Sequence, residues 1–330
     1  MICTLTLNPA VDYIMKAPAL VPGETNRAAS CRLAAGGKGI NVSLMLHRLG
    51  SPTIPLGVCA GMTGTFLLRE LEREGLAPDF VLTDPEDASG VRTRINVKLT
   101  AEDGTALEVN APGAPLPEDA LDTLVEKLIG RLRPGDTLAL CGSLPSGSPD
   151  DTYARLLARL SAAGNGLRDV RLAADTTGDR LLAALPYRPF VIKPNLSELK
   201  ALTGSACDAA DDCMTAAAAR TLQKAGARNV LVSLGAQGAL LVPEEGPALR
   251  IGALSRPADL PAGDPTGAGD SMLAGFLYAV DRGMTLPDAL RFATVCGAAT
   301  AFTADGVARA EDVARLEPAG RELRVTAVDV

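Results

Sequence analysis

PFVIKPNLSEL, residues 189–199, runs from an apolar, β-branched segment into a polar turn and on into a helical start. The first residues suit a strand buried on both faces. Asn195 stands where a helix N-cap belongs, and Glu198, three residues later, completes the spacing of a capping box. A strand that passes straight into a helix in this way is the repeating half of a parallel α/β sheet.

The rest of the chain repeats the unit. ICTLTL (2–7), TIPLGV (53–58), TLALCG (137–142), VRLAAD (170–175) and NVLVSLG (229–235) read as further buried strands. Between them INVSLMLHRLG, TFLLRELEREGL, EDALDTLVEKLIGRL, DTYARLLARLSAAG and CMTAAAARTLQKAG carry helical periodicity. The alternation predicts an α/β fold of three layers, a mostly parallel sheet with helices on both faces, whose ligands gather at the carboxyl ends of the strands. Two segments break the rhythm, about 11–34 and 90–110, where strand alternation surrounds the turn AEDGT without a crossover helix. They predict a small antiparallel β lid standing off the main layer, as a cover or a dimer contact. No repeat or disordered tail divides residues 1–330, which are expected to form one domain.

Composition narrows the function. The 330 residues are 47% apolar with a formal charge of −7, and no Lys/Arg run offers a nucleic-acid or anionic-membrane footprint. The expected partner is a small molecule. Seven scattered cysteines without a CxxC pair, and His47 as the single histidine, support neither a disulfide framework nor a zinc site. The N-terminal apolar run is broken at Asn8-Pro9, too early for a signal or membrane segment, so the cytoplasm is the expected compartment. GxxxxGK[ST], GxSxG and a complete GxGxxG are missing.

The positive signals are short. GDPTGAGDSMLAGF (263–276) places Gly267, Ala268 and Gly269 before a helix, with Asp270 in its first turn. Free amides and the positive end of a helix dipole suit a charged phosphoryl group, and a carboxylate beside them suits a base; a helix cap on a glycine turn has the same spacing. AAGGKGINVSLML brings Gly37, Lys38 and Asn41 to another helix start, as an anion cradle or a tight turn. In TRINVK, alternation sets Arg94, Asn96 and Lys98 on one strand face, either a cationic substrate surface or a solvated edge. Glu198 is a cap or a ligand of Mg²⁺ through water, and Ser233 to Gly238 form a hairpin turn or a nucleotide rest.

Taken in order, TLNPAVDY, GGKGIN, TRINVK, GSLPSG, KPNLSEL, SLGAQG and GAGDSMLAGF resemble the PfkB (ribokinase-like) family of carbohydrate kinases over essentially the whole chain. Within it the resemblance is closest to bacterial 1-phosphofructokinases, with tagatose-6-phosphate kinases next. It implies a ribokinase-like fold, ATP and Mg²⁺ as cofactors, and transfer of a phosphoryl group to a sugar phosphate. By the same resemblance Asp270 is the general base, and Gly267, Ala268 and Gly269 form the anion hole. Asp12 holds sugar hydroxyls, with Gly37, Lys38, Asn41 and Asn96 beside it. Arg27, Arg94, Lys98 and Ser143 are candidates for the substrate phosphate. Lys193, Asn195, Ser233, Leu234, Gly235, Ala236, Gln237 and Gly238 lie on the ATP side, and Glu198 on the Mg²⁺ side. A homodimer paired through the lid is also implied. The alternatives are a tagatose-6-phosphate or 6-phosphofructokinase activity, or a non-catalytic sugar-phosphate sensor. The chain departs from the nearest pattern at Asp264-Pro265-Thr266, where 1-phosphofructokinases more often read SVGAGD.

Overall fold

The computed structural model describes residues 1–163, 169–260, 263–303 and 306–329. In chain order the strands are β1 (Ile2–Thr6), β2 (Ala10–Ala17), β3 (Ser30–Gly36), β4 (Thr53–Ala60), β5 (Val81–Thr83), β6 (Arg94–Ala101) and β7 (Ala106–Val109). They continue with β8 (Thr137–Cys141), β9 (Arg171–Asp175), β10 (Val191–Ile192), β11 (Asn229–Ser233), β12 (Ala239–Val242), β13 (Ala248–Ile251) and β14 (Val325–Val328). The helices are α1 (Lys38–Arg48), α2 (Gly61–Arg73), α3 (Glu118–Arg131), α4 (Thr152–Ala162) and α5 (Asp179–Ala184). Beyond them come α6 (Leu196–Thr203), α7 (Asp212–Lys224), α8 (Ala268–Asp281), α9 (Leu286–Phe302) and α10 (Ala310–Glu322).

Among the described residues, ten strands form the main sheet in the order β14-β13-β12-β11-β10-β9-β8-β1-β4-β5. All pairs from β11 to β5 are parallel, and β12, β13 and β14 add an antiparallel edge. Strand alternation sends successive side chains to opposite layers. Leu138 and Leu140 of β8 enter the core under α3, α4 and α7, whereas Ala139 and Cys141 enter the core under α1, α2, α8, α9 and α10. Both faces are therefore covered, which is why these strands read as continuous apolar runs.

From β1 the chain moves one way to β4 and β5, then returns to β8 and continues the other way. The reversal opens a crevice at the carboxyl ends of β1 and β8, where sheets of this kind bind ligands.

The segments that broke the rhythm form a second sheet of four strands, β3-β2-β6-β7. Each hairpin is antiparallel as expected, and the seam between them, β2 with β6, is parallel. The register pairs Asp12 with Asn96 and Lys98 with Glu108, so polar side chains of three strands share one face. The opposite face carries Leu33, Ile95, Leu107 and Val109, all 44–54% exposed. His47 is exposed on α1.

Candidate active site

Four parallel strands end at the site. Thr6 closes β1, Gly142 and Ser143 follow β8, Asp175 ends β9, and Lys193 follows β10. Two helices start there. Gly37, at φ 129°, precedes α1, and Gly267, at φ 82°, precedes α8. Both backbones lie in a region that side chains disfavour, which accounts for glycine at each.

Asp270 lies in the first turn of α8 and is buried. Its Oδ2 accepts from Asn41 Nδ2 at 2.7 Å. Burial and the neighbouring Asp175 push its pKa up to about 6, against the pull of Lys38, Lys193 and Asn41. A carboxylate poised there takes up a proton readily and is still ionised at neutral pH. Burial works against the charge on Lys38, yet Asp175 and Asp270 hold its pKa above the ordinary lysine value. Asp175 is buried too, but Lys193 and Lys38 overcome that burial and keep it below the usual carboxylate range.

The helix start is less open than three small residues implied. The Ala268 N–H turns back onto Pro265 O at 3.0 Å, and Ser271 N–H bonds Gly267 O at 2.9 Å. The Gly267 and Gly269 N–H groups have no acceptor among the described residues, so free amides remain at the turn. A Cβ on Gly269 would stand 3.2 Å from Lys193 Nζ.

On the lid side, Asp12 accepts from Asn96 Nδ2 at 3.0 Å and from Lys98 Nζ at 2.8 Å. Gly36 lets the carboxylate sit there, since a Cβ would lie 2.6 Å from Asp12 Oδ2. The Asn96 Oδ1 is buried without a partner among the described residues, an acceptor that a ligand hydroxyl would satisfy. Arg94 donates to Asn8 O at 3.1 Å and Ala111 O at 3.2 Å, tying the lid to the strand below it. Asn8 in turn donates to Ser143 Oγ at 3.2 Å.

Two cavities meet in this crevice. The first, ≈ 520 Å³, is polar and lined by Asp12, Gly37, Lys38, Asn41, Arg94, Asn96, Lys98, Ser143, Lys193, Glu198 and Asp270, among others. The second, ≈ 480 Å³, is mainly apolar, with Ala253, Leu254, Met272, Gly297, Ala298, Ala301 and Phe302 in its wall. Asn195, Ser233 and Gly269 belong to both. Gly297, Ala298 and Ala301, small residues on α9, are thus part of the wall of a slot.

Not every expected residue converges. Arg27 lies exposed in the connector between β2 and β3, outside both cavities. Gly235, Ala236 and Gly238 line the apolar cavity, but Leu234 is buried in the core and Gln237 is exposed outside the wall. Asn195 and Glu198 form the full capping box, with Asn195 N–H to Glu198 Oε2 and Glu198 N–H to Asn195 Oδ1, both at 2.8 Å. Asp175, Asn110 and Thr266 were not anticipated. Asn110 and Thr266 line the polar cavity, and Asp175 lies behind its two lysines. The only sequence sign of Asp175 was an acidic residue closing a buried strand.

The crevice at the sheet reversal, the helix-start glycines and the polar lid define a sugar-kinase-like site. The pfkB family carbohydrate kinase model matches residues 5–311. A 1-phosphofructokinase of Borreliella burgdorferi is 35% identical over 92% of this chain and 92% of its own. A D-tagatose-1-phosphate kinase of Bacillus licheniformis is 33% identical over 99% of each. Among solved structures, phosphofructokinase-2 of Escherichia coli in complex with substrates and products superposes with a TM-score of 0.85, at 28% identity, over 97% of this chain and 99% of that one. The chain belongs to the pfkB family of carbohydrate kinases and is a phosphotransferase acting on a sugar phosphate.

Among the described residues, no helix is long and apolar enough to cross a membrane.

Proposed function

We propose that this chain is an ATP-dependent 1-phosphofructokinase: one kinase unit over 1–330 that converts fructose 1-phosphate and ATP into fructose 1,6-bisphosphate and ADP. The observation that carries the reading is the meeting of a polar and an apolar cavity at Gly269, with Asp270 on the polar side of the join. A sugar phosphate fits the first cavity and a nucleotide base the second. The phosphoryl group then passes between them, over the start of α8.

In this reading the C6 hydroxyl attacks the γ-phosphorus while Asp270 takes its proton, and the bond to the departing ADP oxygen breaks. The Gly267 and Gly269 amides and the helix dipole stabilise charge on the moving group. Asn41 orients Asp270. Asp12 and the unpaired Asn96 Oδ1 take sugar hydroxyls, while Lys98, Arg94 and Ser143 serve the resident phosphate.

Mg²⁺ fits the donors present. Glu198 spends one oxygen on its helix cap and lines the polar cavity. A single carboxylate beside polyphosphate oxygens and water is an ordinary arrangement for this ion, which neutralises phosphate charge when bound. Asn195 keeps Glu198 in place.

Ile95 of β6, Leu33 of β3, and Leu107 and Val109 of β7 lie on the lid face away from the cavity. An exposed apolar sheet face of this kind supports a homodimer paired lid to lid. The cytoplasm is the compartment in which such a sugar phosphate is met.

Relatives named for ketose 1-phosphates favour this substrate over the 6-phosphates. The test is ADP release with fructose 1-phosphate, tagatose 1-phosphate, fructose 6-phosphate, tagatose 6-phosphate and free fructose. Fructose 1-phosphate should give the highest kcat/KM, by about tenfold, equivalent to about 1.4 kcal/mol. Faster turnover of either 6-phosphate overturns the assignment, and ATP binding without turnover of any sugar identifies a sensor.

A further inference from the structure

Asp175 ends β9 with 1% of its surface exposed. Its Oδ1 accepts from Lys38 Nζ at 2.8 Å, and its Oδ2 lies 3.1 Å from Lys193 Nζ. The lysines come from different places, Lys38 from the first residue of α1 and Lys193 from the turn after β10. Lys38 stands with Gly37 and Asn41 in the polar cavity. Lys193 packs its ammonium group against Gly269, one of the residues common to both cavities. One carboxylate thus holds two cations that would otherwise repel each other, Lys193 buried beside it and Lys38 partly open to the cavity.

We propose that Asp175 is a positioning residue for phosphoryl transfer, fixing Lys38 toward the sugar phosphate and Lys193 toward the nucleotide phosphates through a single carboxylate. The inference rests on the two-cavity reading above. Asp175 touches neither substrate in it and acts only through the lysines. The four groups Asp175, Asp270, Lys38 and Lys193 sum to zero charge when all are ionised, so the charge on Asp175 also sets how strongly the lysines act on Asp270. Around them stand the Asn41 amide on Asp270, Glu198 toward Lys38, and Cys141 and Tyr153 near Asp175, with Arg180 beyond Tyr153. Without the charge of Asp175, both lysines bear on Asp270 alone.

Asp175→Asn in the whole chain tests this, with calorimetric titration of a non-hydrolysable ATP analogue and a pH profile on the sugar phosphate that wild type uses best. Analogue affinity should fall about tenfold, the scale of a charge-assisted contact. The acid limb of kcat/KM should move down by about one pH unit, as a carboxylate gains uncompensated cationic neighbours. Affinity within about twofold of wild type together with an unmoved limb would overturn the proposal. Lys193→Met supplies a second measurement, alone and combined with Asp175→Asn, where the double variant removes one charge of each sign. Losses in analogue affinity should be strongly non-additive, because one residue acts through the other; additive losses refute the idea. A failure of the base assignment is distinguishable, since it appears as undiminished turnover by Asp270→Asn.

Discussion

Asn41 Nδ2 donates to Asp270 Oδ2 across 2.7 Å, joining the first turn of α1 to the first turn of α8 over 229 residues of chain. The bond fixes which way the carboxylate faces while burial and Asp175 raise its pKa to about 6. As a base, Asp270 works ionised, so kcat/KM should be full above that pH and fall tenfold per unit well below it. Asp270→Asn removes the proton acceptor and should lower kcat by about 10²–10⁴-fold while leaving nucleotide affinity nearly unchanged. Steady-state kinetics with an independent nucleotide titration checks this; near wild-type kcat would sink the base assignment.

The same raised pKa has a consequence for stability. An unfolded aspartate titrates near 3.9, so the folded chain holds this proton more tightly than the unfolded one does. The ionised Asp270 therefore destabilises the fold in full above about pH 6, and the cost disappears as pH falls through 6 toward 4. Asp175, depressed by Lys193 and Lys38, has the opposite sign and loses its stabilising contribution in acid. Asp270→Asn should be more stable than wild type at pH 7.5 by on the order of 1–3 kcal/mol, with the gap closing toward pH 4. Urea unfolding at the two pH values measures it, and a less stable variant at pH 7.5 contradicts it.

The layers were legible because buried parallel strands and their helices leave period and length in the sequence. Leu138 and Leu140 face one core and Ala139 and Cys141 the other, so an unbroken apolar run was the expected signature. TRINVK was legible for the same reason, since alternation alone sets Arg94, Asn96 and Lys98 together. Asp175 was not, because its meaning lies in Lys38, 137 residues earlier, and Lys193, neither of which marks the strand end LAAD. The parallel seam of β2 with β6 was hidden too, as pairing between separate hairpins is a tertiary choice. Arg27 looked like a phosphate ligand by resemblance, yet its connector leaves it exposed away from both cavities.

Lys98 spends its ammonium group on Asp12 at 2.8 Å. Lys98→Ala therefore removes a phosphate candidate and leaves the Asp12 carboxylate held by Asn96 alone. KM for the sugar phosphate should rise about ten- to hundredfold, as for loss of one charge-assisted contact, with KM for ATP within about threefold. Initial-rate kinetics varying each substrate separates the two. An equal rise in both would mean that Lys98 serves the structure of the lid.

Glu198→Gln separates a cap from a metal ligand. Glutamine can still accept from the Asn195 N–H, so the capping box and the thermal stability should be preserved. The charge facing the polar cavity is lost, and the Mg²⁺ concentration needed for half-maximal rate should rise about tenfold. An unchanged Mg²⁺ requirement in a stably folded variant would leave Glu198 as a cap alone.

The outer face of the lid predicts assembly. Ile95 on β6, Leu107 and Val109 on β7, and Leu33 on β3 across β2 are each about half exposed, while the other face of the same sheet is polar and turned to the cavity. A four-stranded sheet with one apolar face in water is an aggregation hazard unless that face is covered, and a second copy brings the same residues in a two-fold pairing. Ile95→Arg puts a charge in the middle of that contact, on a side chain that already reaches solvent, so the folded chain should tolerate it. Sedimentation at micromolar concentration should give a dimer for wild type and a monomer for the variant, with dissociation strengthened by about a hundredfold or more, the scale of an unpaired buried charge. A wild-type monomer, or a variant that remains dimeric, would rule out pairing through the lid.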